Sequence, residues 1–305
     1  MKLRQSIYER EAKSGRNAPE QNYRFLHMKL RKGTAHLISK VIPKERPTDL
    51  TRFNHRSTAG AAGFSADYIS IEDKTALAMY DSLVKSLDRL KGFRIERWLD
   101  LGCGRAALHA MIADRLSIPD TYGVNIDQTK LEIAKRRIPV VRLDLEYGLP
   151  FSDSTFDLVT SFGVFEHMKF FDKPIEEAHR VLKDGGFFLV CMPNLGSYSN
   201  RMQLLLGYQP RDVEISRLTV TGVAREFLEK DVALIGHVHA ATLRGLTELL
   251  EFHGFRVVNV TGGSPMFNFQ SGGLLVRIMD FLTSKRPSLS RRIFVLSRKT
   301  VRHPQ

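Results

Sequence analysis

The sequence has few cysteines and no long apolar run. Cys103 and Cys191 are the only two cysteines among 305 residues, too few for a disulfide framework or a cysteine-rich zinc site. No stretch reaches the ~18 consecutive apolar residues of a membrane-spanning helix. The first residues, Met1 to Lys13, are polar and charged and lack the apolar core of a signal peptide. We therefore expect a cytoplasmic protein in a reducing compartment.

Charge is distributed unevenly along the chain. Its 46 Lys and Arg and 33 Asp and Glu give a formal net charge of +13 at pH 7. Residues 1–60 carry 14 basic and 5 acidic side chains, residues 270–305 carry 8 and 1, and the middle carries 24 and 27. Basic ends on a slightly acidic core suggest an anionic partner, such as lipid headgroups, a phosphorylated carrier or nucleic acid. The alternative is that the basic ends only keep the surface solvated.

Short apolar segments alternate with helical patterns in most of the chain. Strands are predicted at 97–101, 122–126, 140–143, 156–161, 187–192, 255–261 and 292–297, and helices at 106–116, 129–137, 174–182 and 242–253. This alternation is typical of an α/β fold, a doubly wound, mostly parallel sheet with helices on both faces. We expect a basic, partly helical N-terminal arm at 1–65 and one domain at 66–305, with insertions at 194–236 and 262–290. Long insertions of this kind often form lids or binding loops.

The clearest motif is the segment Leu-Asp-Leu-Gly-Cys-Gly at 99–104, where a buried strand ends in a glycine turn that leads into a helix. Such a turn directs main-chain N–H groups and a helix N-terminus at a ligand beside the carboxyl end of the strand. Ala107 occupies the third glycine position of the dinucleotide fingerprint, where alanine is tolerated. The loop alone therefore leaves dinucleotide enzymes and other adenosyl-binding folds as alternatives.

Further motifs follow the glycine loop. They are Tyr-Gly-Val-Asn-Ile-Asp at 122–127, Asp-Leu at 144–145, the segment 149–157, Val-Phe-Glu-His at 164–167 and the segment 177–190. In this order they resemble the class I S-adenosylmethionine-dependent methyltransferases over about residues 97–260. The resemblance implies a Rossmann-like sheet of seven strands, S-adenosyl-L-methionine as the cofactor and methyl transfer as the activity. Residues 66–305 would then be the methyltransferase domain.

The resemblance also implies the residues that bind the cofactor. Asn125 departs from the family pattern, which usually has Asp or Glu at the ribose, and a neutral amide gives up the stronger charge-assisted hydrogen bond. Asp100 and Asp144 have an alternative interpretation as capping carboxylates. The implied set is Asp100, Gly102 and Gly104 around the methionine and ribose, with Cys103 as filler between them, Asn125 at the ribose, Ile126, Asp144 and Leu145 around the adenine, and Ser161 and Phe162 near the sulfonium.

Three histidines are candidates for the catalytic base that would deprotonate a hydroxyl acceptor. His167 follows the fourth strand, and His237 and His239 end the first insertion. Because His237 and His239 alternate, they would face opposite sides of an extended chain, and at most one should enter the pocket. A metal held by this pair lacks a third ligand in the sequence, so we predict no metal site. The alternative for His167 is that it caps the following loop together with Glu166.

Three hypotheses concern the acceptor. We favour methyl transfer to an oxygen of a small-molecule or lipid-linked acceptor of glycan or quinone type, with peripheral contact to the anionic inner face of the membrane. The apolar stretch 274–282, followed by basic residues, can lie on such a surface, although packing on the sheet or a dimer contact would also explain it. An RNA methyltransferase using the basic arm is less favoured, because the arm has few aromatic residues and no recognisable RNA-binding module. A cofactor-binding subunit without catalysis is the third hypothesis, and only Asn125 favours it.

Overall fold

The computed structural model describes residues 82–224, 234–263, 278–279, 282–283 and 285–300. The chain divides into two units, 1–50 and 51–305, and every described residue lies in the second. The predicted N-terminal arm at 1–65 and most of the apolar stretch at 274–282 lie outside the described residues. None of the helices in the described ranges has the length and apolar character needed to span a bilayer.

One sheet of seven strands organises the domain. The strands are β1 Arg97–Leu101, β2 Asp120–Asn125, β3 Val140–Arg142, β4 Phe156–Phe162, β5 Leu182–Pro193, β6 Phe255–Gly263 and β7 Arg292–Lys299. Their order is β3-β2-β1-β4-β5-β7-β6. β1 to β5 pair in parallel and β7 is antiparallel to both its neighbours. The predicted seven-stranded, mostly parallel Rossmann-like sheet is confirmed.

Helices cover both faces of this sheet. Successive strand residues point to opposite faces, so Leu99 and Leu101 of β1 pack in the core beneath α3 and α5, whereas Trp98 packs with α1 and with residues 83–90. The strand order reverses between β1 and β4, and open α/β sheets bind ligands beyond the carboxyl ends of the strands at such a point. The helices are α1 Ala107–Leu116, α2 Gln128–Ala134, α3 Asp172–Val181, α4 Tyr198–Leu205 and α5 Leu243–Phe252.

The helix starts follow local capping chemistry. The side chains of Asp127, Ser197 and Thr242 accept hydrogen bonds from the first main-chain N–H groups of α2, α4 and α5. Such caps satisfy N–H groups that have no partner within the helix. α1 differs because its N-cap, Ala106, has no side-chain hydrogen bond and adopts a left-handed conformation with φ of 57°. The first turn of α1 therefore faces the glycine loop without a side-chain cap.

Two elements depart from the sequence prediction. β5 begins at Leu182, whereas the sequence indicated a strand from 187 after a glycine turn. Phe156 pairs with Leu182 but Leu158 pairs with Phe187, so the intervening residues form a bulge inside one long strand. Gly185, with φ of 75°, supplies the positive φ that this bulge requires. The first insertion contains the helix α4, which the apolar periodicity of the sequence did not indicate.

Candidate functional site

The glycine loop after β1 forms one side of the site. The N–H groups of Gly102 and Cys103 both donate to the carbonyl oxygen of Val124, at 2.8 and 3.0 Å, which fixes the loop against β2. Gly102 has φ of 78°, and a Cβ atom there would lie 2.3 Å from Cγ2 of Val164. Gly104 has φ of 54°, and a Cβ atom there would meet nothing within 4 Å. The loop is thus tightly packed at Gly102 and open at Gly104.

Asp100 is buried at the carboxyl end of β1. Its Oδ1 accepts a hydrogen bond from Oγ1 of Thr160 at 2.7 Å, and the same Thr160 oxygen accepts from Nε1 of Trp98 at 2.8 Å. Its Oδ2 lies 3.4 Å from Nδ1 of His109. The His109 ring in turn stacks on Trp98 with centroids 3.8 Å apart. These contacts hold α1 against β1 and β4. Binding of the cofactor by Asp100 stays a prediction.

Cys103 fills the space between the glycine loop and β2. Burial, together with the nearby charge of Asp100, raises the pKa of the Cys103 thiol far above its usual range. A thiol in this state carries no thiolate at neutral pH and is not a nucleophile. A Cβ atom on Gly123 of β2 would lie 2.6 Å from the Cys103 sulfur, so these two residues pack closely.

The end of β2 presents one amide and one apolar side chain. Oδ1 of Asn125 accepts a hydrogen bond from the N–H of Asp127 at 2.9 Å, which engages one lone pair of the amide oxygen and leaves the amide NH₂ as a donor. Ile126 is 54% exposed. The carboxylate of Asp127 caps α2 through the N–H and hydroxyl groups of Thr129.

The ends of β3 and β4 complete the rim. Oδ1 of Asp144 accepts from the N–H of Glu146 at 3.0 Å and caps a short 3-10 helix, Leu145–Tyr147. Ser161 on β4 pairs with Leu101 of β1, next to the glycine loop. Ser161 is fully buried, yet its Oγ has no hydrogen-bond partner among the described residues. Phe162 packs at the edge of the core on the α1 face of the sheet.

A segment from the first insertion docks beside β4. We call residues 236–239 the strap. Nδ1 of His167 lies 2.9 Å from the carbonyl oxygen of Gly236, and the N–H groups of Val238 and His239 lie 2.8 and 3.2 Å from the carbonyl oxygen of Glu166. Because a carbonyl only accepts, Nδ1 of His167 carries the proton and its Nε2 presents a lone pair.

The three histidines occupy different environments. The rings of His167 and His237 meet edge to face with centroids 5.0 Å apart. His239 instead faces Phe170 and Phe171, with centroids 6.5 and 6.4 Å away. His167 is exposed and His237 is buried. The structure therefore brings two of the three candidates together and turns the third aside.

Burial decides the protonation state of His237. Desolvation, with added repulsion from His167 and Arg292, lowers the pKa of His237 to about 3. The ring is neutral at physiological pH, but an imidazole with so low a pKa is a weak base. Desolvation also raises the pKa of Glu166, the buried carboxyl group beside it, despite the opposing charge of Arg292.

Three residues outside the predicted set of site residues support this cluster. Arg292 of β7 is buried, with Nη2 3.6 Å from Oε1 of Glu166. The carboxylate of Glu214 accepts from the N–H groups of Ile235 and Gly236 at 2.8 and 2.7 Å and thereby holds the strap. Glu166 is predicted from the sequence only as part of a motif and as a capping partner of His167. No local sequence pattern relates these positions, because they come from separate parts of the chain.

One donor set in the described residues has the composition of a metal site. Glu166, His167 and His237 each offer a ligand atom within 4.8 Å of the others. Oε1 of Glu166, however, lies about equally far from the Arg292 guanidinium, at 3.6 Å, and from Nε2 of His237, at 3.8 Å. A fixed positive charge beside the carboxylate opposes a second cation at the same place. The absence of a metal site stays a prediction.

Comparison with known proteins identifies the domain. Residues 99–190 match the methyltransferase domain family. A "probable S-adenosylmethionine-dependent methyltransferase" from Mycolicibacterium smegmatis is 31% identical over 165 residues, covering 52% of this chain and 61% of the relative. A demethylmenaquinone methyltransferase from Symbiobacterium thermophilum is 33% identical over 104 residues, covering 31% and 41%. Residues 99–190 are thus a methyltransferase domain, similar to those of S-adenosylmethionine-dependent methyltransferases.

The methyltransferase domain is thus recognised over its central part. This chain spans less than two thirds of the length of either relative, 61% and 41%. Among solved structures, a chain of the Haloferax volcanii complex that contains the Trm112 methyltransferase activator superposes with a TM-score of 0.51 at 15% identity, covering 76% of this chain and 96% of that one. That likeness concerns the fold alone. S-adenosylmethionine is the cofactor of the family, as predicted.

The residues at the sheet edge of the methyltransferase domain fit this cofactor. The open space at Gly104 leaves room for a ligand against the loop, and the unpartnered hydroxyl of buried Ser161 offers it a hydrogen bond. The exposed Ile126 side chain suits the face of an adenine ring. The free NH₂ group of Asn125 can donate to a ribose hydroxyl oxygen but cannot accept from it. The contact made by each residue stays a prediction.

Proposed function

We propose that this chain transfers a methyl group from S-adenosylmethionine to an oxygen atom of a small-molecule or lipid-linked acceptor, with His167 as the base. The observation that carries the proposal is the hydrogen bond between His167 and the Gly236 carbonyl oxygen, at 2.9 Å, directly after β4. This hydrogen bond fixes an exposed imidazole five residues beyond the end of the strand that carries Ser161 and leaves its Nε2 able to accept a proton.

Methyl transfer from a sulfonium is an in-line displacement at carbon. The acceptor oxygen forms a bond to the methyl carbon as the bond from that carbon to sulfur breaks, and the hydroxyl proton passes to the base. The protein must align the two reactants, which can contribute about 7–11 kcal/mol to lowering the barrier. A positioned base contributes about 10²–10⁴-fold in rate. His167 is better suited to this role than His237, whose pKa is lowered to about 3.

The class of acceptor is inferred from the surroundings of the site. The strap lies at the end of the first insertion and contacts Glu166 and His167, which follow β4, and α4 lies earlier in the same insertion. One similar protein is a demethylmenaquinone methyltransferase by name, which makes a quinone-type molecule one candidate acceptor. A hydroxyl group of a glycan or of a reduced quinone would supply the oxygen nucleophile that a base serves.

The experiment combines cofactor binding with an unbiased search for product. The protein is incubated with cell extract and S-adenosylmethionine carrying a radiolabelled methyl group, and label is counted in lipid, small-molecule and RNA pools. We expect label in the lipid or small-molecule pool and about 10²–10⁴-fold less with His167→Gln. His239→Gln is the matched control and should retain activity. Calorimetry with S-adenosylhomocysteine should give the same affinity for all three proteins.

Other outcomes would contradict the proposal in distinct ways. Label in the RNA pool alone would favour a nucleic-acid methyltransferase. Undiminished binding of S-adenosylhomocysteine with no label in any pool would favour a subunit that holds the cofactor without catalysis. Equal activity of His167→Gln and the unchanged protein would remove His167 as the base.

A further inference from the structure

Exposed apolar side chains are concentrated at the end of α4 and in the loop that follows it. Leu205 is 78% exposed and Leu218 is 92% exposed. A single exposed leucine is ordinary, but several in one short stretch indicate a surface that contacts something other than water. We call this set the apolar tip: Met202, Leu204, Leu205, Leu206, Ile215 and Leu218.

Hydrogen bonds hold the helix and the loop of the apolar tip together. The N–H of Gln209 donates to the carbonyl oxygen of Gly222 at 2.7 Å and closes the loop on itself. Nδ2 of Asn200 in α4 donates to Oδ2 of Asp212 in the loop at 2.8 Å. The exposed leucines therefore lie on a helix and a loop that are joined to each other by hydrogen bonds.

Among the described residues of the segments that form the apolar tip and its surroundings, the exposed charges have one sign. Asp212 accepts a hydrogen bond from Asn200 at 2.8 Å and Glu214 accepts one from Arg211 at 2.7 Å, and both acids of the segment are only partly exposed. A second stretch, 285–291, joins this surface because the N–H of Tyr198 donates to the carbonyl oxygen of Leu289 at 3.0 Å. The exposed charged side chains of 194–222 and 285–291 are all basic: Arg201, Arg217, Lys285 and Arg286.

We propose that the apolar tip docks on an anionic lipid surface. Leucine side chains at the tip would enter the headgroup region, and the surrounding basic side chains would contact lipid phosphates. Each Lys or Arg near an anionic surface and each buried methylene adds to binding, so a few of each give reversible attachment. The proposal goes beyond methyl transfer, because docking requires neither the cofactor nor an acceptor.

The docking surface is connected to the acceptor side of the site. Glu214, within the loop of the apolar tip, accepts hydrogen bonds from the N–H groups of Ile235 and Gly236. Gly236 in turn accepts from His167. An acceptor that resides in the membrane would therefore meet the protein on the side of the strap.

The test measures binding of the full chain to vesicles. Flotation compares phosphatidylcholine vesicles with vesicles containing one quarter phosphatidylglycerol, at low and at physiological salt. We expect binding to the anionic vesicles that weakens with salt, and at least a tenfold weaker affinity for the double substitution Leu205→Ser with Leu206→Ser. Phe252→Ser is the matched control, because Phe252 in α5 is also 78% exposed but lies outside the apolar tip. Phe252→Ser should bind as the unchanged protein does.

Three results would overturn the proposal. In the first, the unchanged protein fails to float with anionic vesicles at low salt. In the second, the double substitution floats as well as the unchanged protein does. In the third, the double substitution and Phe252→Ser lose vesicle binding to the same extent. A concentration-dependent dimer that only the double substitution abolishes, without vesicle binding, would assign the tip to a second copy of the chain instead. Calorimetry with S-adenosylhomocysteine separates these results from failure of the proposed function, since the tip variants should bind it normally.

Discussion

At the scale of the residue, Gly102 is the position where sequence and geometry agree most closely. The residue needs a left-handed backbone, and its Cα lies against Val164 so closely that a methyl group would overlap at 2.3 Å. A left-handed conformation costs an L-residue about 1–2 kcal/mol, and overpacking costs about 1–3 kcal/mol more. The motif predicted a tight turn, but the partner that makes it tight comes from the loop after β4 and could not be read from the motif.

We therefore predict that Gly102→Ala lowers the free energy of unfolding by about 2–5 kcal/mol. Adding Val164→Ala should recover part of this loss, because it removes the atom that the new methyl group meets but leaves the backbone strain. Urea denaturation of the two single variants and the double variant measures the coupling. Gly104→Ala is the control, since a Cβ atom there meets nothing within 4 Å and should cost only the backbone term. Purely additive effects at Gly102 and Val164 would contradict this account.

At the scale of the element, the regular strands and helices were predictable and the strap was not. Buried apolar runs and capping residues such as Asp127 and Thr242 set the element bounds to within a few residues. The sequence did not predict the bulge in β5, because a pair of glycines is equally typical of a turn. The strap has no periodicity of its own, and its position depends on hydrogen bonds to Glu166 and Glu214 that are formed only in the folded chain.

Glu214 gives a prediction for the strap as an element. The pKa of Glu214 is lowered by the N–H groups of Ile235 and Gly236 and by Arg211, which outweigh the effect of burial, so the carboxylate is ionised at neutral pH. Glu214→Gln keeps the shape but gives up the charge-assisted hydrogen bonds, which are roughly twice as strong as neutral ones. We expect faster hydrogen exchange at residues 235–239 with unchanged exchange in β1 and β4. Equal exchange of the strap in both proteins would show that Glu214 does not hold it.

At the scale of the whole molecule, the site is assembled from segments that are far apart in the chain. Glu166 and His167 follow β4, the strap ends the first insertion, and Arg292 begins β7. The topology explains this assembly, because the carboxyl ends of the parallel strands and the start of the antiparallel β7 lie at one edge of the sheet. The sequence could therefore predict the edge at which the site lies. The sequence could not predict that the rings of His167 and His237 contact each other while His239 lies apart, because these positions depend on the tertiary structure.

The buried His237 makes the stability of the whole molecule depend on pH. The pKa of His237 in the folded chain is lowered to about 3 from 6.5, so the unfolded chain binds the proton first as the pH falls. The contribution of this group to stability is complete above about pH 6.5 and is lost progressively as the pH falls toward 3. The pKa values of Glu166 and Asp212 are raised in the folded chain, so these groups bind protons more readily there than in the unfolded chain. Their contribution to stability therefore increases as the pH falls, opposite to that of His237.

We predict that lowering the pH from 7.5 to 5.5 removes about 1 kcal/mol of unfolding free energy through His237 alone. His237→Gln keeps a polar side chain of moderate size but cannot titrate, so its stability should fall by about 1 kcal/mol less over this interval. Urea midpoints at the two pH values measure the difference, and His239→Gln serves as the control at the neighbouring exposed position. Identical pH dependence of His237→Gln and the unchanged protein would mean that the ring is not held neutral by burial, and the choice of His167 over His237 as the base would lose its physical ground.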